Sequence, residues 1–270
     1  MTAHVVLVDA LNLIRRIYAV QERPFLLNNE LSENTKQQVL FNTQKACSTA
    51  LSNILSTLEP THALAVFDSE KPCWRYELFP DYKKGRKKMP IHLFERLPDI
   101  QDEFLAMGVD SLDPDEDEAD DVIATLAIKV ALRNQRTTII STDKCFLSLL
   151  NDNVSVYDYF HRRFLNPQYV FEKFNVKTSQ LVDLWTLTGD NTNKIPGVLG
   201  IGQVTASALI NQYGSIQSIL SADDLKSSVK AKIEEHTDAI KLSHQLLSLK
   251  YDIPLGFNLK DIRLPTLQPV

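Results

Sequence analysis

Three aspartates stand where a chain would need them to hold a cation. Asp9, Asp68 and Asp143 each follow a short apolar run, namely Val5 to Val8, Ala63 to Phe67 and Thr138 to Ile140. Eight further acidic residues crowd between Asp110 and Asp121, with Glu118, Asp120 and Asp121 at the head of an apolar helix. Carboxylates converging from several elements are the expected cage for magnesium, which takes oxygen ligands and keeps some of its waters. A pair of such ions polarises a phosphodiester, activates a water and neutralises the leaving oxygen. Taken singly, a strand-end aspartate is also an ordinary helix cap, and the acidic run is also a solvated loop. A calcium loop is excluded: Asp113, Asp115 and Asp117 alternate correctly, but Glu118 stands where the turn glycine belongs and Ala124 where the bidentate Glu should be.

Opposite charge is concentrated nearby. Lys83, Lys84, Arg86, Lys87 and Lys88 fall within six residues, beside Tyr82. This block reads either as a solvated cationic loop or as a clamp that draws a polyanion toward an acidic edge that would otherwise repel it. A third cluster is conformational. Gly189, Gly197, Gly200 and Gly202 mark a tight backbone turn before an apolar helix, where main-chain amides and a helix N-terminus can meet a phosphate. No GxxxxGK sequence is present, so these glycines are not a nucleotide-binding P-loop and no nucleotide cofactor is expected.

The elements that must position these groups are legible from periodicity. The three apolar runs read as buried parallel strands. Helices are expected over Leu11 to Val20, Thr35 to Leu58, Ile91 to Met107 and Ala119 to Leu132. Strand and helix alternation predicts a doubly wound α/β sheet, with its sites beyond the carboxyl ends of the strands. After Tyr159 the strand pattern stops. Short helices follow over Ser179 to Leu187, Val204 to Tyr213, Ile216 to Leu220 and Ala222 to Leu247, and they predict a second, smaller domain.

Bulk properties set limits. The chain has 270 residues, 44% of them hydrophobic, enough for a large core or two unequal ones. Three cysteines without CxxC spacing argue against a disulfide framework or a structural zinc site and fit a reducing cytoplasm. The first apolar run is cut by Asp9, so neither a signal peptide nor a membrane span is expected. A net charge of -5 hides the segregated blocks.

Several motifs in order sharpen this reading. Glu118-Ala119-Asp120-Asp121, Ser141-Thr142-Asp143-Lys144, Gly189-Asp190 and Ile195-Pro196-Gly197-Val198-Leu199-Gly200-Ile201-Gly202 resemble the bacterial and phage 5′-nuclease (flap endonuclease) family, most of all its short stand-alone members. The resemblance implies a PIN/resolvase-like α/β nuclease domain over residues 1–165, with a helical arch at about 80–107. It also implies an all-helical domain over 166–270 with a helix-hairpin-helix-type DNA-binding element. It implies a first magnesium site on Asp9, Asp68, Glu118, Asp120 and Asp121. A second would use Asp143 and Asp190, but Cys145 and Asn193 stand where two more aspartates belong, and a thiol and an amide are weak partners for magnesium. Tyr82 would stack a base, with Lys83 and Arg86 at the scissile phosphate and Lys84, Lys87 and Lys88 in general electrostatics. Carbonyls of Leu187, Thr188, Pro196, Val198 and Ile201 would hold potassium, and amides of Gly200, Ile201, Gly202, Gln203, Val204 and Thr205 would face the duplex backbone. The implied activity is magnesium-dependent cleavage of 5′ flaps or 5′ single strands near a duplex junction, leaving 5′-phosphate and 3′-hydroxyl ends. A separate DNA polymerase would be a partner in function. Two other readings remain open: a flap-binding protein that cleaves poorly, and a PIN-type ribonuclease, which the glycine turn argues against.

Overall fold

The computed structural model describes residues 2–25, 32–69 and 71–265. Six strands form one sheet: β1 (His4–Asp9), β2 (His62–Val66), β3 (Asp110–Leu112), β4 (Arg136–Ile140), β5 (Val154–Asp158) and β6 (Arg163–Leu165), in the order 3-2-1-4-5-6. The first five are parallel and β6 is antiparallel on β5. Strand order reverses between β1 and β4, which makes their carboxyl ends the crevice of a doubly wound sheet. The register brings the expected aspartates to that edge, since Asp9 lies opposite Val66 and Val8 opposite Ile140.

Among the described residues, twelve α-helices accompany the sheet. Those around the sheet are α1 (Ala10–Glu22), α2 (Glu33–Leu58), α3 (Trp74–Leu78), α4 (Ile91–Phe94), α5 (Leu97–Ala106) and α6 (Ala119–Ala131). The rest are α7 (Pro167–Phe174), α8 (Leu181–Thr188), α9 (Gln203–Tyr213), α10 (Ile216–Leu220), α11 (Ser227–Glu235) and α12 (Thr237–Leu247). None of the described helices is long and apolar enough to cross a membrane.

Alternate residues of a strand face opposite sides, and β1 feeds two cores in this way. Val6 and Val8 pack with α1, α2 and α5, whereas Val5 and Leu7 pack with α6. The second core does not stop at the sheet. It runs unbroken through Phe174, Trp185, Ile210, Ile219 and Ile240, so the helical part shares its apolar interior with the sheet. α6 lies between the two and is buried on nearly every face.

Several expectations are corrected. The strand pattern continues past Tyr159, because β6 adds an edge strand too short to show alternation. The helix expected over Ile91 to Met107 is two helices, broken where Pro98 starts a new first turn. The one expected over Ala222 to Leu247 bends at His236, whose backbone and ring nitrogens both reach the Lys232 carbonyl. The arch expected at about 80–107 is not helical over 79–90, and α5 is a core helix: Ile100 and Phe104 are fully buried against α2. Truncating Phe104 to Ala should therefore cost about 3–5 kcal/mol in chemical denaturation. A freestanding arch helix would show less than about 0.5 kcal/mol, the surface value.

Candidate active site

The acidic residues separate into two electrostatic classes, and buried Arg75 on α3 draws the line. Its guanidinium is 3% exposed and binds Asp121 through two bonds of 2.7 and 2.8 Å. It also donates to Glu118 and to the Leu246 and Ser248 carbonyls at the end of α12, and it stacks on Trp74. Asp121 accepts two more bonds, from Trp74 Nε1 and from the Lys250 amide, and is fully buried. Its lone pairs are spent on the protein, and it does not line the cleft. Consecutive residues on a helix diverge by about 100°, so Asp120 faces the cleft while Asp121 faces Arg75. The expectation that both hold one ion is corrected accordingly.

Glu118 lines the cleft, yet Lys83 and Arg75 both pair with it and the Tyr82 hydroxyl donates to it at 3.1 Å. Asp190 is likewise engaged. It sits at the base of a tight hairpin with Ile195, beside the Lys144 ammonium at 3.3 Å, and takes an amide proton from Asn193 at 3.0 Å. Asn193 thus serves Asp190 from the wall of the cleft.

The second class is uncompensated. Asp9, Asp68, Asp120 and Asp143 line one cleft of about 1170 Å³ and form no ion pair among the described residues. Asp9 caps α1 and accepts 2.6 Å from the Ser141 hydroxyl. Asp68 accepts from the Ala119 amide at 3.0 Å, which fixes the head of α6 against β2. Burial first, then the charges of Asp68 and Asp143, push the Asp9 carboxyl up to about 7 despite the Ser141 bond. Asp120 is raised well above the ordinary carboxylate range by burial and then by Asp143, Asp9 and Asp68, with Lys83 opposing. These are four oxygen-donor groups whose charges cost free energy next to one another, a set that a hard divalent cation fits.

Across the cleft stands the basic segment. Lys83, Arg86, Lys87 and Lys88 line it, while Lys84 pairs with Asp81 outside it. The segment is pinned at both ends. The Lys83 amide donates to the Asn193 carbonyl at 2.9 Å, and Arg15 of α1 holds the Lys87 carbonyl at 2.7 Å. Burial works against the Lys83 ammonium, but Glu118, Asp68 and Asp120 outweigh it and raise its pKa. Tyr82 is corrected as a stacking surface: its ring is buried beneath Cys73, Ile195 and Leu246, edge-on to Tyr76. Tyr76, which lines the cleft, is the aromatic that sequence reading missed. Arg15 and Arg75 were missed too, because neither stands in a motif or a charge block.

The glycine turn joins α8 to α9. Gly189 and Gly197 lie backbone against backbone, and a Cβ on Gly197 would stand 2.4 Å from the Thr188 carbonyl carbon. The Leu187 and Val198 carbonyls accept the Val198 and Ile201 amides, and the Pro196 carbonyl accepts Ser243. α9 begins at Gly202 with no side-chain cap, which leaves its first amides open, flanked by exposed Leu199 and Val204. Lys232 of α11 adds an ammonium on the Gly200 carbonyl, at 3.1 Å.

A resolvase-like sheet with an open acidic edge, followed by a helical element of this form, defines a nuclease of the 5′-3′ exonuclease class. Family models agree: residues 4–175 match the 5′-3′ exonuclease N-terminal resolvase-like domain and residues 176–269 its C-terminal SAM fold. The chain belongs to the 5′-3′ exonuclease family. It is 63% identical to the flap endonuclease Xni of Colwellia psychrerythraea, over 98% of this chain and 93% of that one. The Photobacterium profundum flap endonuclease Xni is 44% identical over 97% and 98%. Among solved structures, zinc-bound T5 5′-exonuclease superposes with a TM-score of 0.74 at 21% identity, over 90% of this chain and 89% of that one. The catalytic core of Rad2 with DNA substrate gives 0.54 at 14%, over 96% and 83%. At these identities the likeness is one of fold.

Replacing Arg75 by Met leaves Asp121 buried without a counter-charge and should destabilise the protein by about 3–5 kcal/mol. Adding Asp121→Leu should recover more than half of that loss in urea titrations. A single-variant cost below about 1 kcal/mol, the value of an exposed pair, would contradict the assigned role.

Proposed function

We propose that the protein hydrolyses DNA at 5′ flaps or 5′ single strands beside a duplex junction, leaving 5′-phosphate and 3′-hydroxyl ends. One observation carries this reading: four unpaired carboxylates face a row of cations across a single cleft. Magnesium is the ion we assign, held by Asp9, Asp68 and Asp120, with Asp143 beside them and Glu118 reached through its own hydrogen bonds. When bound, the metal supplies charge neutralisation at the phosphate and an acidified water.

The chain's own groups do the rest. Lys83, and Arg86 beside it, place positive charge where negative charge grows on the phosphate in the transition state. Asp120 and Asp9, as ligands of the metal, would orient its water toward the phosphate. Lys87, Lys88 and, at longer range, Lys84 draw the strand in. We assign the duplex to the amides of Gly200, Gly202, Gln203, Val204 and Thr205, the Ile201 amide being held by the Val198 carbonyl. A potassium ion would sit on the carbonyls of Leu187, Thr188, Pro196, Val198 and Ile201, of which Leu187, Val198 and Pro196 keep a second lone pair beside their present bonds. Action in the cytoplasm next to a separate DNA polymerase fits the reading. A binding protein without cleavage fits less well, because it would gain nothing from four mutually repelling carboxylates.

The test is an end-labelled 5′-flap DNA with magnesium. Asp120→Asn should abolish magnesium-dependent product, and Lys83→Ala should lower kcat on the order of 10²–10³-fold with little change in duplex affinity. Absence of cleavage by the unsubstituted protein across a magnesium titration would overturn the proposal and favour the binding protein.

A further inference from the structure

Cys145 has no place in an oxygen-only site, yet one donor atom from each of Asp120, Asp143 and Cys145 lies within 4.8 Å of the others. A tetrahedral ion with ligands at about 2.0–2.3 Å needs donors about 3.3–3.8 Å apart, so the trio is within one ion's reach. Among the described residues the Cys145 thiol bonds to Asp143, itself a member of the trio. The Asp120 carboxylate has no hydrogen-bond donor among the described residues. Lys144, next in sequence to both Asp143 and Cys145, turns to Asp190 and the Trp185 ring. Arg75 and Lys83 are committed to Glu118 and Asp121. The Cys145 amide donates to Asp143 at 3.0 Å, which holds thiol and carboxylate on one short turn.

Sulfur sets the preference. A thiolate is a weak ligand for magnesium and a strong one for zinc, cobalt(II) or cadmium. We infer that Asp120, Asp143 and Cys145 form a mixed oxygen–sulfur site that takes a borderline divalent ion of the zinc or cobalt(II) kind in preference to magnesium. The thiol gives its proton to solvent as the sulfur–metal bond forms, and the three protein ligands leave a fourth position open. The inference rests on Asp120 and Asp143 being metal ligands, as proposed above.

Cobalt(II) is the probe, titrated into the metal-free full chain in excess magnesium. Visible d–d bands report uptake, and a near-ultraviolet sulfur-to-cobalt charge-transfer band reports the thiolate. Expected is a charge-transfer band that saturates at about one equivalent and is lost in Cys145→Ser, whose cobalt affinity falls at least about tenfold. Cys145→Asp should lose the same band while gaining magnesium affinity. Visible bands without the charge-transfer band in the unsubstituted protein overturn the inference but leave Asp120 and Asp143 as ligands. No cobalt uptake overturns both, and a band that survives Cys145→Ser assigns the sulfur elsewhere and overturns the inference.

Discussion

A single buried guanidinium decides what the acidic edge can do. Arg75 joins the head of α6, through Glu118 and Asp121, to the end of α12, through the Leu246 and Ser248 carbonyls. Stripped of water, such a charge is tolerable only when every donor is used, and here all are directed at acceptors from distant parts of the chain. Two carboxylates are thereby paired with the protein's own cations. Their neighbours are left with none of that compensation.

The result is a steep local contrast. On one side of the α6 head, cations and carboxylates cancel; one residue away, Asp9, Asp120 and their partners face each other largely shielded from water, with the Ser141 hydroxyl and the Lys83 ammonium opposing the strain only in part. An acidic edge of this kind would repel a nucleic acid. The opposing lysines and arginines, fixed by the Asn193 carbonyl at one end and Arg15 at the other, offset that repulsion without reaching the carboxylates that stay open. Held at both ends, the basic segment need not be ordered by its ligand, which lowers the entropy cost of binding.

Much of this was legible in the sequence. Asp9, Asp68 and Asp143 were found because a short apolar run ending in an acid is a local pattern, and the sheet turns that pattern into one edge. Asp120 and Asp121 could not be told apart, since which of them faces the cleft depends on Arg75, forty-five positions earlier and carrying no motif. Tyr82 stands inside a charged block, where an aromatic reads as exposed; only the packing of Ile195 and Leu246 over it reveals otherwise. β3 and β6 have three residues each, too short for alternation to register. Pro98 did announce the break between α4 and α5, but the apolar spacing around it carried the longer helix.

The interior that runs from β1 and α6 through Trp185 and Ile210 to Ile240 has one further consequence. Close-packed cores do not deform continuously, so the turn at Gly197–Gly202 and the edge at Asp120 keep a constant separation. With two such fixed points the molecule behaves as a gauge. On the proposed seating of a duplex at the turn, the same phosphate would meet the carboxylates each time, and the position of a cut would be counted from the junction and not from the free end of the strand.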